Sequence, residues 1–142
     1  MMIRELNNNI LRKVAEPVKE IINDIKNLLH DMVETMEINH GVGLAAPQIG
    51  ISLRIVVIKV EDVIYKLINP IIVKETGIQN SDEGCLSLPN TFGKVWRPAK
   101  VIVKALDENG KEIKITGYKL LACALCHEID HLDGVLFTDK LS

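Results

Sequence analysis

Residues 118–132 read YKLLACALCHEIDHL, and no other stretch restricts the fold as strongly. Up to Cys126, apolar side chains point in almost every direction around a helical wheel, which marks a helix buried on all sides. The pattern then runs without a break into His127-Glu128-Ile129-Asp130-His131. Burying so many ionisable groups is costly unless they are paired, hydrogen-bonded or bound to a metal. A fold for this chain must therefore enclose the helix and also supply partners for its polar end.

The same stretch carries two overlapping spellings. Cys123, Cys126 and His127 form C-x-x-C-H, the pattern of covalent haem attachment, while residues 127–131 form H-E-x-x-H, a helical metal site with its own base. Covalent haem belongs as a rule to exported chains. The N-terminal MMIRELNNNILRKVAEP has neither an apolar leader core nor a small-residue cleavage site. No apolar run approaches membrane-spanning length, so a reducing cytosol is expected. Three cysteines, Cys85, Cys123 and Cys126, are an odd number and too few for a disulfide framework. A thioredoxin-like C-x-x-C opens a helix after a strand, whereas these two cysteines lie inside a helical pattern.

The second spelling has a physical logic. His127 and His131 are four residues apart and project from one helix face, so they can grip one ion. Glu128 is spaced to reach a water on that ion, the arrangement of a metal hydrolase. The motif by itself leaves chance occurrence open. His30 and His40 have no such partner and are read as solvated residues near the end of an earlier helix.

A catalytic site needs a third protein ligand and an open position. Cys85, in SDEGCLSLPN at 81–90, is a candidate, since a thiolate there can approach the helix from a facing strand or loop. A buried cysteine serving as a small hydrophobe is the commoner fate of a lone one.

With 142 residues, 47% hydrophobic and 25% charged, the chain suits one soluble domain, here 1–142. A net charge of -2 without a basic run gives no reason to expect nucleic acid. Three- and four-residue steps from Val18 to Met36 predict an amphipathic helix, with Pro17 in its first turn and an end before Gly41. GVGLAAPQIG at 41–50 predicts a loop or irregular strand. Strands are expected at 51–60, 64–68 and 71–75, and a hairpin at 100–116 turning at Asn109-Gly110. The last helix is expected over about 118–132, with Gly134 as its stop. The fold class is α+β: an N-terminal helix, antiparallel or mixed strands, and a buried C-terminal helix carrying H-E-x-x-H.

Three segments in order, GVGLAAPQ (41–48), EGCLS (83–87) and HEIDH (127–131), resemble the signature motifs of peptide deformylase, and the likeness extends over nearly the whole chain. The resemblance implies a cytoplasmic, bacterial-type enzyme that removes the formyl group from N-terminal formyl-methionine of new polypeptides and releases formate. It implies metal ligands at Cys85, His127 and His131, with water attacking the formyl carbon and Glu128 as general acid and base. It implies that Gln48 and the Leu86 N–H stabilise the negative charge that develops on oxygen. The family's metal is usually ferrous iron, for which zinc, nickel or cobalt can substitute; the ligand set alone suggests zinc.

Substrate contacts are expected from Val42, Gly43, Leu44, Gly84, Leu86, Leu120, Cys123 and Ala124. Gly43 and Gly84 leave room for an extended peptide, Val42, Leu86, Leu120, Cys123 and Ala124 line a methionine pocket, and Leu44 with Leu86 forms a wall against acetyl groups. Asp130 is expected to pair with Arg97, and Glu83 to orient a ligand or the Gln48 amide. Gln48 also has a plainer role open to it, tying down its own loop. The partners expected are formyl-methionyl nascent peptides, with transient ribosome proximity, and the chain is expected to be a monomer. Two rival readings are another H-E-x-x-H peptidase and an inert protein whose structural metal takes Cys123 as fourth ligand.

Overall fold

A computed structural model describes Ile3 and residues 9–141. Most of the N-terminal stretch behind the expectation of no leader, and Ser142, lie outside the described residues. The elements are α1 (Asn23–Ile38), β1 (Gly43–Ala45), β2 (Ile55–Val60), β3 (Val63–Thr76), β4 (Gln79–Cys85), β5 (Leu88–Arg97), β6 (Lys100–Leu106), β7 (Glu112–Tyr118) and α2 (Lys119–Leu132). Five strands form one antiparallel sheet in the order β1-β2-β3-β6-β7, and β4 pairs with β5 in a separate two-stranded sheet.

β2 explains why the two helices lie where they do. Its apolar run is buried on both faces rather than alternating with polar residues. Val56 and Ile58 point to the side of α2, where they pack with Leu67, Val101, Val103, Leu125 and Ile129. Ile55 and Val57 point the other way, into a cluster with Leu28, Leu29, Met32 and Met36 of α1. Ten of the fourteen residues of α2 are buried, as its apolar circumference requires. A smaller cluster of Leu11, Leu88, Val95, Leu136 and Phe137 fills the space beside the β4–β5 hairpin.

Several boundaries differ from the sequence reading, each for a local reason. Pro17 is not in a helical turn, because residues 17–22 form no regular secondary structure and α1 starts at Asn23. The backbone of this arm is already engaged elsewhere. Val18 donates its N–H to Asn69 Oδ1 at 2.8 Å and accepts from Asn69 Nδ2 at 2.8 Å, while Glu16 bonds to Ser52 and Arg54. The two strands expected at 64–68 and 71–75 form one long strand, β3. Asn69-Pro70 is absorbed by a register slip between Ile68 and Ile71, with Asn69 at φ 52°. The β2–β3 turn is Glu61-Asp62, both at positive φ as a two-residue type I′ turn requires, but without the glycine that would announce it.

The β6–β7 hairpin lies where expected. Asp107 closes its loop by accepting from the N–H groups of Asn109 and Lys111. α2 ends as expected, with Gly134 at φ 73°. Arg54 caps that end by donating to the Leu132 carbonyl and to Asp133.

Asn69 thus holds the arm ahead of α1 from a left-handed backbone position. Replacing it with Ala removes two hydrogen bonds and strains the backbone, at a cost of about 2–4 kcal/mol. Asn69→Gly loses only the bonds and costs about 1–2 kcal/mol. The urea unfolding midpoint should be highest for the wild type, lower for Asn69→Gly and lowest for Asn69→Ala.

Candidate metal centre and its cleft

α2 delivers its polar turn to the foot of the β4–β5 hairpin. Cys85, the last residue of β4, places its Sγ 3.3 Å from Nε2 of His131. One ligand atom each from Cys85, His127 and His131 lies within 4.8 Å of the others. The two imidazole rings stand 5.1 Å apart and tilted by 64°, and Phe137 stacks on His127 at 6.0 Å.

The ring of His127 is held by a partner the sequence reading left undecided. Its Nδ1 lies 2.8 Å from Oε1 of Glu83. Burial works against the charge of Glu83, but the bonds with Arg97 and His127 prevail and hold its pKa at about 2. A carboxylate can only accept, so Nδ1 carries a proton, and Nε2 is the nitrogen that would bind a metal on giving up its own proton. Glu83 therefore orients a ligand and not the Gln48 amide. Arg97 grips Glu83 with two bonds of 2.8 and 2.9 Å and Asp130 with one of 2.6 Å, which includes the expected Arg97–Asp130 pair.

Glu128 lies beside this group, buried in the wall of the cleft. Its Oε1 and the Nδ1 of His131 are buried without a hydrogen-bond partner among the described residues. Burial raises the Glu128 carboxyl to about 7 against the opposing pull of a charged His127. Burial alone opposes a charge on His127, yet bonds from Cys85 and Glu83 push it up to about 10. Burial and the charges of His127 and Arg97 keep His131 well below the usual histidine range, hence neutral.

One thiol and two imidazoles form a donor set that fits a divalent ion with a position left open, beside which the Glu128 oxygen lies without a partner.

Gln48 comes from a 3-10 turn, Ala46–Ile49, directly after β1. Its Oε1 accepts from the Ala45 N–H at 2.9 Å, which is the loop-tying role. Its Nε2 donates to Cys85 Sγ at 3.4 Å and to Ser87 Oγ at 3.2 Å, which puts the amide donor at the thiol. Ser87 is fully buried and was not singled out from the sequence. Its place two residues after Cys85 in EGCLS was the available signal.

A cleft of about 450 Å³ opens onto the group, lined by Val42, Gly43, Gly84, Leu86, Leu120, Cys123 and Ala124 together with Gln48, Cys85, His127 and Glu128. Leu44 is a correction. It is fully buried in the α1 cluster and does not line the cleft, because its β1 position points it toward α1. Leu86 does line the cleft and packs against Gly41, where a Cβ would meet its Cδ1 at 2.9 Å. Gly43 is glycine for a reason beyond peptide access, since a Cβ there would come within 2.5 Å of the Glu128 carboxylate. Cys123 lies in the cleft wall but outside the ligand group, and Cys126 is buried in the core with its thiol pushed by burial to about 12. Among the described residues there is thus no fourth protein ligand in the group, and the C-x-x-C-H spelling points to different surroundings. His30 and His40 are exposed, although His40 stands at the cleft mouth and His30 lies mid-helix in α1.

The polypeptide deformylase family model matches residues 1–142. A peptide deformylase of Acetivibrio thermocellus is 57% identical over 139 residues, covering 98% of this chain and 82% of that protein. The crystal structure of a peptide deformylase from Legionella pneumophila superposes with a TM-score of 0.95 at 48% identity, covering 99% of this chain and 85% of that one. That of Thermotoga maritima peptide deformylase gives 0.97 at 37% identity, covering 100% and 99%. No helix among the described residues is long and apolar enough to cross a membrane.

Glu83 is the outer support of the ligand set. Glu83→Gln keeps its shape and removes its charge, and should weaken divalent-ion affinity about 10–100-fold. Competition with a chelator, measured on folded protein, reads this directly.

Proposed function

The chain belongs to the peptide deformylase family, and on that premise we propose how its residues carry out the reaction. It is a metal-dependent hydrolase that removes the formyl group from N-terminal formyl-methionine. Cys85, His127 and His131 hold one divalent ion, which we take to be ferrous iron on the family likeness; zinc suits the same donors, and nickel or cobalt can substitute. When bound, such an ion supplies Lewis acidity, polarising the formyl oxygen and acidifying water.

The remaining work falls to the chain. Glu128 accepts the proton of the attacking water at its carboxylate and passes it to the amine nitrogen as the formyl carbon–nitrogen bond breaks. Formate and a free amino terminus are the products. The Gln48 Nε2, aimed at the Cys85 side of the cleft, and the Leu86 N–H, in the turn between β4 and β5, donate to the oxygen as it gains negative charge. The methionine side chain lies against Leu120, Cys123, Ala124 and Val42, and the peptide runs extended along Gly43 and Gly84. Leu86, backed by Gly41, is the wall that excludes the extra methyl of an acetyl group.

The observation that carries this reading is the Glu128 oxygen, buried and unpartnered among the described residues beside three convergent ligands. Residues 1–142 act as one catalytic domain, a cytoplasmic monomer working on nascent chains near the ribosome.

Protein loaded with ferrous iron without oxygen should release formate from formyl-Met-Ala-Ser and leave the acetyl analogue intact. Glu128→Ala should lose about 10²–10⁴ in rate while retaining metal. Gln48→Ala should lose about 10²–10³. Release that survives Glu128→Ala, or hydrolysis of the acetyl peptide at a similar rate, contradicts the assignment.

A further inference from the structure

The side of the large sheet turned away from α2 is only partly covered. Paired residues of neighbouring strands point to one side, and Val101, Val103 and Ala105 of β6 point toward α2. The residues between them point the other way. On that side α1 packs over β1 and β2, and its cluster reaches Ile68 and Leu106. Beyond these two, among the described residues, the side stays open, with Ile71 55% and Tyr118 57% exposed.

Four lysines gather on the open part: Lys74 of β3, Lys100 and Lys104 of β6, and Lys114 of β7. They lie far apart along the chain, so no basic run announces them, and only the strand register assembles them. Lys104 stands directly opposite Lys114, a pairing of like charges that costs a sheet stability. Further along the same side, Lys59 and Lys66 are balanced by Glu37 and Glu108 at 3.4 and 3.6 Å. Lys74, Lys104 and Lys114 are exposed and have no such acid among the described residues. Glu112, the next residue of β7 on this side, stands opposite Leu106 in the following row. Lys100 lies over the ring of Tyr118, 5.6 Å from its centroid.

We propose that this open face is a docking surface for the phosphate backbone of single-stranded RNA, bound without regard to base sequence. Alternate residues of a strand lie about 7 Å apart and neighbouring strands about 5 Å apart, so the lysines form a flat grid of positive charge. RNA brings a phosphate with every nucleotide and can meet such a grid in many registers. An acidic peptide has charge only where its sequence places it. A membrane surface calls for a contiguous apolar insert, whereas Ile71 and Tyr118 stand at opposite corners of the patch. The exposed Tyr118 ring adds a surface on which a base can stack. The net charge of -2 does not oppose this, because salt screens distant charges and leaves the local patch to act. The metal centre belongs to α2, on the opposite side of the sheet, so RNA here leaves the cleft free. The inference therefore goes beyond the deformylase reaction and does not depend on it.

The test is fluorescence anisotropy of a labelled oligouridine of about 20 nucleotides, titrated with metal-loaded full-length protein. Binding at about 0.1 M salt should fall in the range of about 10⁻⁴–10⁻⁶ M, with a log–log salt slope of about -3 for four lysine contacts. Lys104→Gln/Lys114→Gln should weaken binding about 10–30-fold and halve the slope. The same double variant should unfold at an equal or higher urea midpoint, because the like-charge pair is gone, and should release formate at the wild-type rate. Lys19→Gln/Lys94→Gln removes equal charge from the arm ahead of α1 and from the smaller sheet, and should change neither affinity nor slope. No binding by the wild type at low salt, an unaltered affinity in Lys104→Gln/Lys114→Gln, or an equal loss in both double variants overturns the inference. Polyglutamate or phosphatidylserine vesicles that displace the RNA at equal charge concentration overturn RNA as the occupant. Loss of formate release in every protein, wild type included, with RNA binding as described, would overturn the deformylase reading and leave this inference standing.

Discussion

The guanidinium of Arg97 is the joint on which the site depends. It is 2% exposed and satisfies two carboxylates at once, Glu83 from its own hairpin and Asp130 from α2. Three charges in the interior cost several kcal/mol each to desolvate and are tolerable only with close, complete bonding. Here Arg97 makes three such bonds, two of them bidentate to Glu83. One consequence is mechanical, since the two-stranded sheet is tied to the helix that faces it. The other is electronic. The same Glu83 that pairs with Arg97 fixes a proton on Nδ1 of His127 and so leaves Nε2 as the nitrogen that would bind a metal. Loss of Arg97 would leave Glu83 with His127 as its remaining partner and Asp130 with Lys140 alone.

The hydrophobic architecture serves the same end. β2 is buried on both faces, so α1 and α2 are fixed on opposite sides of one strand. That places β1 and the Gln48 turn against the polar end of α2, at a distance so short that only glycine fits at 43. Glu128 is thereby buried in the cleft wall, and that burial raises its carboxyl to about 7. The apolar circumference of the helix and the chemistry at its end are thus one design. Without burial on all sides, the carboxylate would be an ordinary acid.

What the sequence made legible follows from periodicity and from local chemistry. The buried helix, its stop at Gly134, the β6–β7 hairpin and the His127–His131 pair all rest on patterns within a few residues whose spacing has a geometric meaning, whereas Cys85 entered as third ligand through the family resemblance. The Arg97–Asp130 pair was also legible. The misreadings share a different cause. Pro17 looked like a helix opener, but Asn69, about fifty residues away, claims the backbone beside it. Asn69-Pro70 looked like a break between strands, yet a bulge carries the strand through. The β4–β5 hairpin was missed because its few buried residues include Ser81, Glu83 and Arg97 and most of β5 is exposed, so it lacks an apolar stripe. Leu44 was assigned to the cleft from its neighbours in GVGLAAPQ, whereas the strand alternation of β1 turns it to the core. Ser87 and the Glu83–His127 bond required the fold to bring distant groups together.

The most direct test of the account is the ligand sphere of the loaded metal, read by X-ray absorption on protein loaded with iron and protected from oxygen. Cys85, His127 and His131 predict one sulfur neighbour and two imidazole nitrogens, with a remaining light-atom position. A spectrum without sulfur, or one with two sulfurs that would bring Cys123 into the sphere, would contradict the assignment of an open three-ligand centre.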